Sequence, residues 1–164
     1  MKTKEKTFDT KELFERRMAK ARYKVNINNR ILLWLDDKRN PFENEEWLRY
    51  SPIEKPFKVV WVKTYRQFVR WIQKNGLPDA ICFDHDISDF SFDIIGFLFH
   101  KCPLRREKTG YDCAKWLVNY CYENNIALPK WNIQSSNVPG KENINGIFKS
   151  YSKYFKNREV CKDI

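Results

Sequence analysis

Two short apolar runs that end in acids restrict the fold of this chain more tightly than any other feature. Ile31–Leu32–Leu33–Trp34–Leu35 stops at Asp36–Asp37, and Ala80–Ile81–Cys82–Phe83 stops at Asp84–His85–Asp86. Unbroken apolar runs of this length are the pattern of strands buried on both faces, as in a parallel sheet. In an open α/β sheet the crevice for ligands lies beyond the carboxyl ends of the strands, which is where both sets of acids fall. If the two strands are neighbours, their carboxylates converge and repel one another. A bound hard cation, Mg²⁺ or Mn²⁺, is the usual way to keep such a cluster ionised. Asp36, Asp37 and Asp84 are the metal candidates, with Asp86 as a fourth.

The rest of the chain reads as alternating strands and helices. Residues 42–50 suggest a short helix, and Lys58–Val59–Val60–Trp61–Val62 a second strand. Thr64 is placed to cap a helix over Tyr65–Asn75, whose Phe68, Trp71 and Ile72 form one stripe and which Gly76 and Pro78 end. Thr109 and Asp112, spaced as a capping pair, open another helix to about Asn125, with Cys113, Trp116, Leu117 and Tyr120 inward. A fourth strand is expected over Asn132–Ser136 and a last helix over Ile144–Phe155. This alternation predicts parallel β-α units joined by right-handed crossovers, hence an open parallel α/β sheet of about four strands. In the flavodoxin-like arrangement the strand order is 2-1-3-4, which sets strands one and three side by side. The α/β domain then covers residues 31–164. Residues 1–30 read as a basic helical extension, with a helix from Asp9 or Thr10 to about Arg22 carrying Lys11, Arg16, Lys20 and Arg22. The connection 87–108 is rich in Phe and Ile. It is expected to fold over the crevice as a short helix or flap.

A net charge of +10 and a pI near 9.4 imply an anionic partner: nucleic acid, a nucleotide or a phosphorylated ligand. Five cysteines with no C-x-x-C pair, beside only two histidines, make a poor zinc site and a poor disulfide framework, so they read as small core residues. No stretch approaches the roughly 20 apolar residues of a membrane span, and Met1–Lys6 has no apolar core for a signal peptide. An intracellular, cytoplasmic protein is the expectation. Arg39 is suited either to grip a phosphate in a forked hydrogen bond or to pair with the acids. Ser135, Asn137, Gly140 and Lys141 precede a helix N-terminus, where backbone N–H groups and the helix dipole favour an anion.

Acids ending strands one and three, with Ser135 ending strand four, resemble the receiver domain of two-component signalling. There the acidic pair binds Mg²⁺ and the acid of strand three, here Asp84, accepts phosphate; the receiver's fifth strand and its lysine have no counterpart in this sequence. The finer pattern is similar to the cyclic-phosphate-processing receiver domains, known for L-D-D-x-R-x-P, D-H-D, T-G-x-D and H-S-x-N-x-x-G. This chain has Leu35–Asp36–Asp37–Lys38–Arg39–Asn40–Pro41, Asp84–His85–Asp86, Thr109–Gly110–Tyr111–Asp112 and Gln134–Ser135–Ser136–Asn137–Val138–Pro139–Gly140, in that order over residues 31–150. Gln134 stands where the family carries histidine. Glutamine can hydrogen-bond a phosphate oxygen but cannot act as a general acid or base. The resemblance implies a metal-dependent phosphoesterase acting on a cyclic phosphate, either a 2′,3′-cyclic end of RNA or a cyclic nucleotide. Asp84 and His85 would be its catalytic residues, with Arg39, Gln134, Ser135, Asn137, Gly140 and Lys141 around the phosphate. Two other functions fit the same residues: a module that sequesters the ligand without turnover, and a phosphoacceptor receiver using Asp84.

Overall fold

The computed structural model describes residues 29–87 and 108–160, with side chains to residue 158. The expected basic N-terminal helix and nearly all of the connection 87–108 lie outside the described residues. Four strands, β1 (Ile31–Leu35), β2 (Lys58–Val62), β3 (Ala80–Phe83) and β4 (Lys130–Ile133), form one parallel sheet in the order β2-β1-β3-β4. Helices α1 (Tyr65–Asn75), α2 (Gly110–Asn124) and α3 (Val138–Val160) alternate with them, and a 3₁₀ turn spans Glu45–Tyr50. This is the expected receiver-like α/β arrangement.

Side chains of a strand alternate between faces, and the two faces of this sheet have different partners. Leu33, Leu35, Ile81, Phe83 and Ile133 meet the helices, packing with Phe68 and Ile72 of α1, Leu117 of α2 and Phe148 of α3. Leu32, Trp34, Ala80 and Cys82 face the other way, against Ile53, Trp47, Leu48 and Tyr50. Cys82, Cys113 and Cys121 are fully buried, small core residues as expected. No helix among the described residues is long and apolar enough to cross a membrane.

Local signals account for most element ends. The Thr64 hydroxyl accepts from the Gln67 N–H and starts α1, and Gly76 ends it at φ 82°, a conformation open to glycine. Two elements, β4 and α3, differ from expectation at both ends. β4 begins and ends earlier; its only partner among the described residues is β3, whose ladder closes at Phe83, so the Gln134 N–H to Phe83 carbonyl bond is the last rung. α3 begins six residues early, at Val138. Pro139 sits in its first turn, where a missing N–H costs nothing, and the Asn137 side chain caps the Gly140 N–H at 2.9 Å.

Candidate metal and phosphate site

The register decides which residues meet. Leu35 lies opposite Phe83, and Phe83 opposite Ile133, so the next residues along, Asp36, Asp84 and Gln134, stand in a row at the carboxyl edge. Backbone bonds continue one step past the strands, from the Asp36 N–H to the Val62 carbonyl and from the Asp84 N–H to the Leu35 carbonyl. The Asp36, Asp37 and Asp84 carboxylates each place an oxygen within 4.8 Å of the others.

Arg39 enters this row from the loop after β1. Its Nε meets Asp36 Oδ2 at 2.6 Å, its Nη2 meets Asp84 Oδ2 at 3.0 Å, and its Nη1 donates to the Gln134 carbonyl at 2.7 Å. Asp36 is fully buried and heavily engaged. Oδ1 accepts the Lys38 and Arg39 backbone N–H groups, and Oδ2 accepts Arg39 Nε and Gln134 Nε2, the latter at 3.2 Å. Burial is the largest influence on its protonation and pushes the Asp36 carboxyl above the usual range, against the pull of the two backbone N–H groups and the Arg39 charge. Two tryptophans brace the loop from below: Trp61 Nε1 donates to the Asp36 carbonyl at 2.7 Å and Trp34 Nε1 to the Arg39 carbonyl at 3.0 Å. Sequence reasoning gave these tryptophans no role, although a largely buried indole N–H needs an acceptor and both lie near the ends of the strands that flank the acid loop, β1 and β2.

A second constellation lies beside the first. His85 Nδ1 is 2.7 Å from Asp86 Oδ1, and Asn137 Nδ2 donates to the same oxygen at 3.1 Å. With a carboxylate as its partner, Nδ1 is assigned the proton, leaving Nε2 as the basic nitrogen of the neutral ring. The His85 contact, the largest influence, holds the Asp86 carboxyl below the usual range. Asp86, expected as a fourth metal ligand, is thus engaged by His85 and Asn137 and is not in the group of three acids. Gly140 is required here because a Cβ would collide with the His85 ring. Gly110 is required for a similar reason, since its Cβ would strike the Asp84 carbonyl while its N–H bonds the His85 carbonyl.

The remaining expected residues take supporting positions. Ser135 Oγ accepts from the Asn137 N–H at 3.2 Å. The Gly140 N–H is taken by the Asn137 cap and the Lys141 N–H by the Asn137 carbonyl, so neither is open to an anion, while the Lys141 side chain is exposed. Asp112 reaches back to the Thr109 N–H at 3.1 Å, the capping role expected of the pair. Burial opposes the Asp112 charge, but the Thr109 N–H, Lys115 and Lys108 outweigh it and hold the carboxyl below the usual range. A depressed folded value means that this stability is present above the ordinary carboxylate pKa of about 3.9 and is lost as pH falls through the folded value. Asp112→Asn should therefore cost about 1 kcal/mol at neutral pH and flatten the acid limb of stability below about pH 4, read by urea unfolding across pH. An unchanged acid limb would show that the box contributes nothing.

Fold and site together define a receiver-like α/β domain with an acid cluster at the β1/β3 switch point, tied to arginine and bordered by a histidine–carboxylate pair. Residues 31–150 match the model of the cyclic-phosphate processing receiver domain, and the chain belongs to that family. No curated protein and no solved structure matches it.

Proposed function

We propose that the protein is a metal-dependent phosphoesterase that opens a cyclic phosphate, at a 2′,3′-cyclic RNA end or in a cyclic nucleotide. The observation that carries this reading is the acid triad itself: three hard oxygen donors drawn within 4.8 Å, in a chain of a cyclic-phosphate family. The donor set fits Mg²⁺ or Mn²⁺. A buried Gln134 Oε1 without a hydrogen-bond partner among the described residues supports the fit, because an acceptor beside acids suits a cation or its water. Asp37 and Asp84 would hold the ion, and Asp36 would join by giving up one of its present bonds. Bound there, the cation supplies Lewis-acid polarisation of the phosphoryl group and a more acidic water.

The chain's own residues supply the rest. Three of the five Arg39 N–H groups are spent on Asp36, Asp84 and the Gln134 carbonyl, leaving two for phosphoryl oxygens. His85, its Nδ1 fixed by Asp86, accepts the proton of the attacking water at Nε2 and returns it to the departing ribose oxygen. One P–O bond forms as the ring P–O bond breaks, giving a linear phosphomonoester.

One observation favours a second reading, a sequestering module. Gln134 replaces the family histidine and spends its Nε2 on Asp36, so that position holds no proton to transfer. Incubation with 2′,3′-cyclic nucleotide and Mg²⁺, followed by denaturation and chromatography, separates the two. Linear nucleotide supports the esterase; cyclic nucleotide returned in stoichiometric amount supports the module. A mass gain of one phosphoryl group from acetyl phosphate would instead support a phosphoacceptor.

A further inference from the structure

An open groove runs between the edge strand β2 and helix α1, lined by Val60, Val62, Gln67, Arg70, Trp71 and Lys74. Helix α1 contains no acid. Arg66, Arg70 and Lys74 repeat every four residues along its exposed side, about 6 Å apart, and none forms an ion pair among the described residues. Like charges at this spacing repel, so the row weakens the isolated helix. Half-buried Trp71 adds an aromatic surface within the same groove. At the carboxyl end of β2 the Lys63 ammonium lies 3.9 Å from the centre of the Trp61 ring, whose indole bonds the Asp36 carbonyl.

We propose that this groove binds a single strand of nucleic acid, with Arg66, Arg70 and Lys74 tracking its phosphates and Trp71 stacking on a base. Evenly spaced cations beside an aromatic face are what a sequence-tolerant single-strand path requires. An extended acidic peptide would instead pair with the β2 edge. There the Lys63 N–H, the donor just past the end of β2, is already accepted by Gln67 Oε1 at 2.8 Å. The placement of the strand's 3′ end in the acid site rests on the cyclic-phosphate reading above; the groove's affinity does not.

The test is fluorescence anisotropy of labelled oligouridylate, ending in either a 2′,3′-cyclic phosphate or a 3′-hydroxyl, titrated across salt. Arg66→Gln/Arg70→Gln/Lys74→Gln should weaken both probes at least tenfold. It should also reduce the slope of log K against log salt by about 2, since each phosphate contact on a single strand contributes about 0.7. Lys149→Gln/Lys153→Gln/Lys156→Gln removes the same charge from exposed positions on α3 and should leave the slope intact. Trp71→Leu, with its fold verified by melting, should weaken both probes several-fold. Equal binding of the two probes, with the α1 slope effect retained, would uphold the groove while counting against the cyclic end as ligand. An unchanged slope in the α1 variant, an equal loss in the α3 variant, or equal competition by polyglutamate would overturn the proposal.

Discussion

Replacing Arg39 by methionine is expected to cost about 3 kcal/mol of stability at neutral pH, the scale for stripping one partner from a buried ion pair. The guanidinium is the shared counter-charge of Asp36 and Asp84 and also ties the end of β4 to β1 through the Gln134 carbonyl. Without it the fully buried Asp36 keeps hydrogen bonds but no opposite charge. The loss should depend on pH in a defined sense. Burial already raises the folded Asp36 value, and removing Arg39 raises it further, so the folded variant binds a proton that the unfolded chain has released. Stability of the variant then falls as pH rises through that window, and the deficit shrinks in acid. Millimolar Mg²⁺ or Mn²⁺ should restore part of the deficit, because the ion supplies charge where the guanidinium stood. At a hundred times its Kd a ligand stabilises by about 2.7 kcal/mol, and Asp84→Asn should remove most of the cation response in either background. Urea unfolding with and without the cation measures this. A methionine variant as stable as wild type, with no cation response in either protein, would remove both the counter-ion role and the metal site.

His85→Ala is expected to lower turnover of a cyclic phosphate by 10² to 10⁴ while leaving ligand affinity nearly unchanged. Imidazole is the side chain suited to exchanging protons near neutral pH, and His85 is held in one orientation by Asp86, which Asn137 anchors in turn, and by the bare backbone at Gly140. Asp84→Asn should lose both turnover and affinity. Gln134→His restores the family residue beside Asp36 and should raise the rate if Gln134 has weakened an enzyme. Product assays beside calorimetric titration separate these effects; an alanine variant with wild-type turnover would remove His85 from the reaction.

Much of this architecture is legible in the chain because its signals are local. β1, β2 and α1 end where apolar runs meet acids, a capping threonine or a left-handed glycine; the alternation of strands and helices gives a parallel sheet, and analogy with the flavodoxin-like arrangement gives its order. β4 and α3 were harder to place, since the reach of β4 is set by its partner and Pro139–Gly140 fits equally before a helix or inside its first turn. The meeting of Asp36, Asp37 and Asp84 could be read from strand ends. The engagement of Asp86 by His85 and Asn137 could not. Arg39 was legible as a phosphate grip or an acid partner, and its three simultaneous contacts emerge only from a register that sets Asp36, Asp84 and Gln134 in one row. The glycines of the T-G-x-D and H-S-x-N-x-x-G patterns declare close approach, but only the fold shows that the Asp84 carbonyl and the His85 ring are what approach them.

The most direct measurement is a time course of linear product from a 2′,3′-cyclic nucleotide or a cyclic-ended RNA with wild-type protein in Mg²⁺ or Mn²⁺, beside Asp84→Asn. The expected result is linear product that grows to many times the protein present, is abolished by chelation, and is absent from the asparagine variant. Saturable binding with no product under either cation would contradict the esterase and leave a domain that holds its cyclic phosphate unchanged.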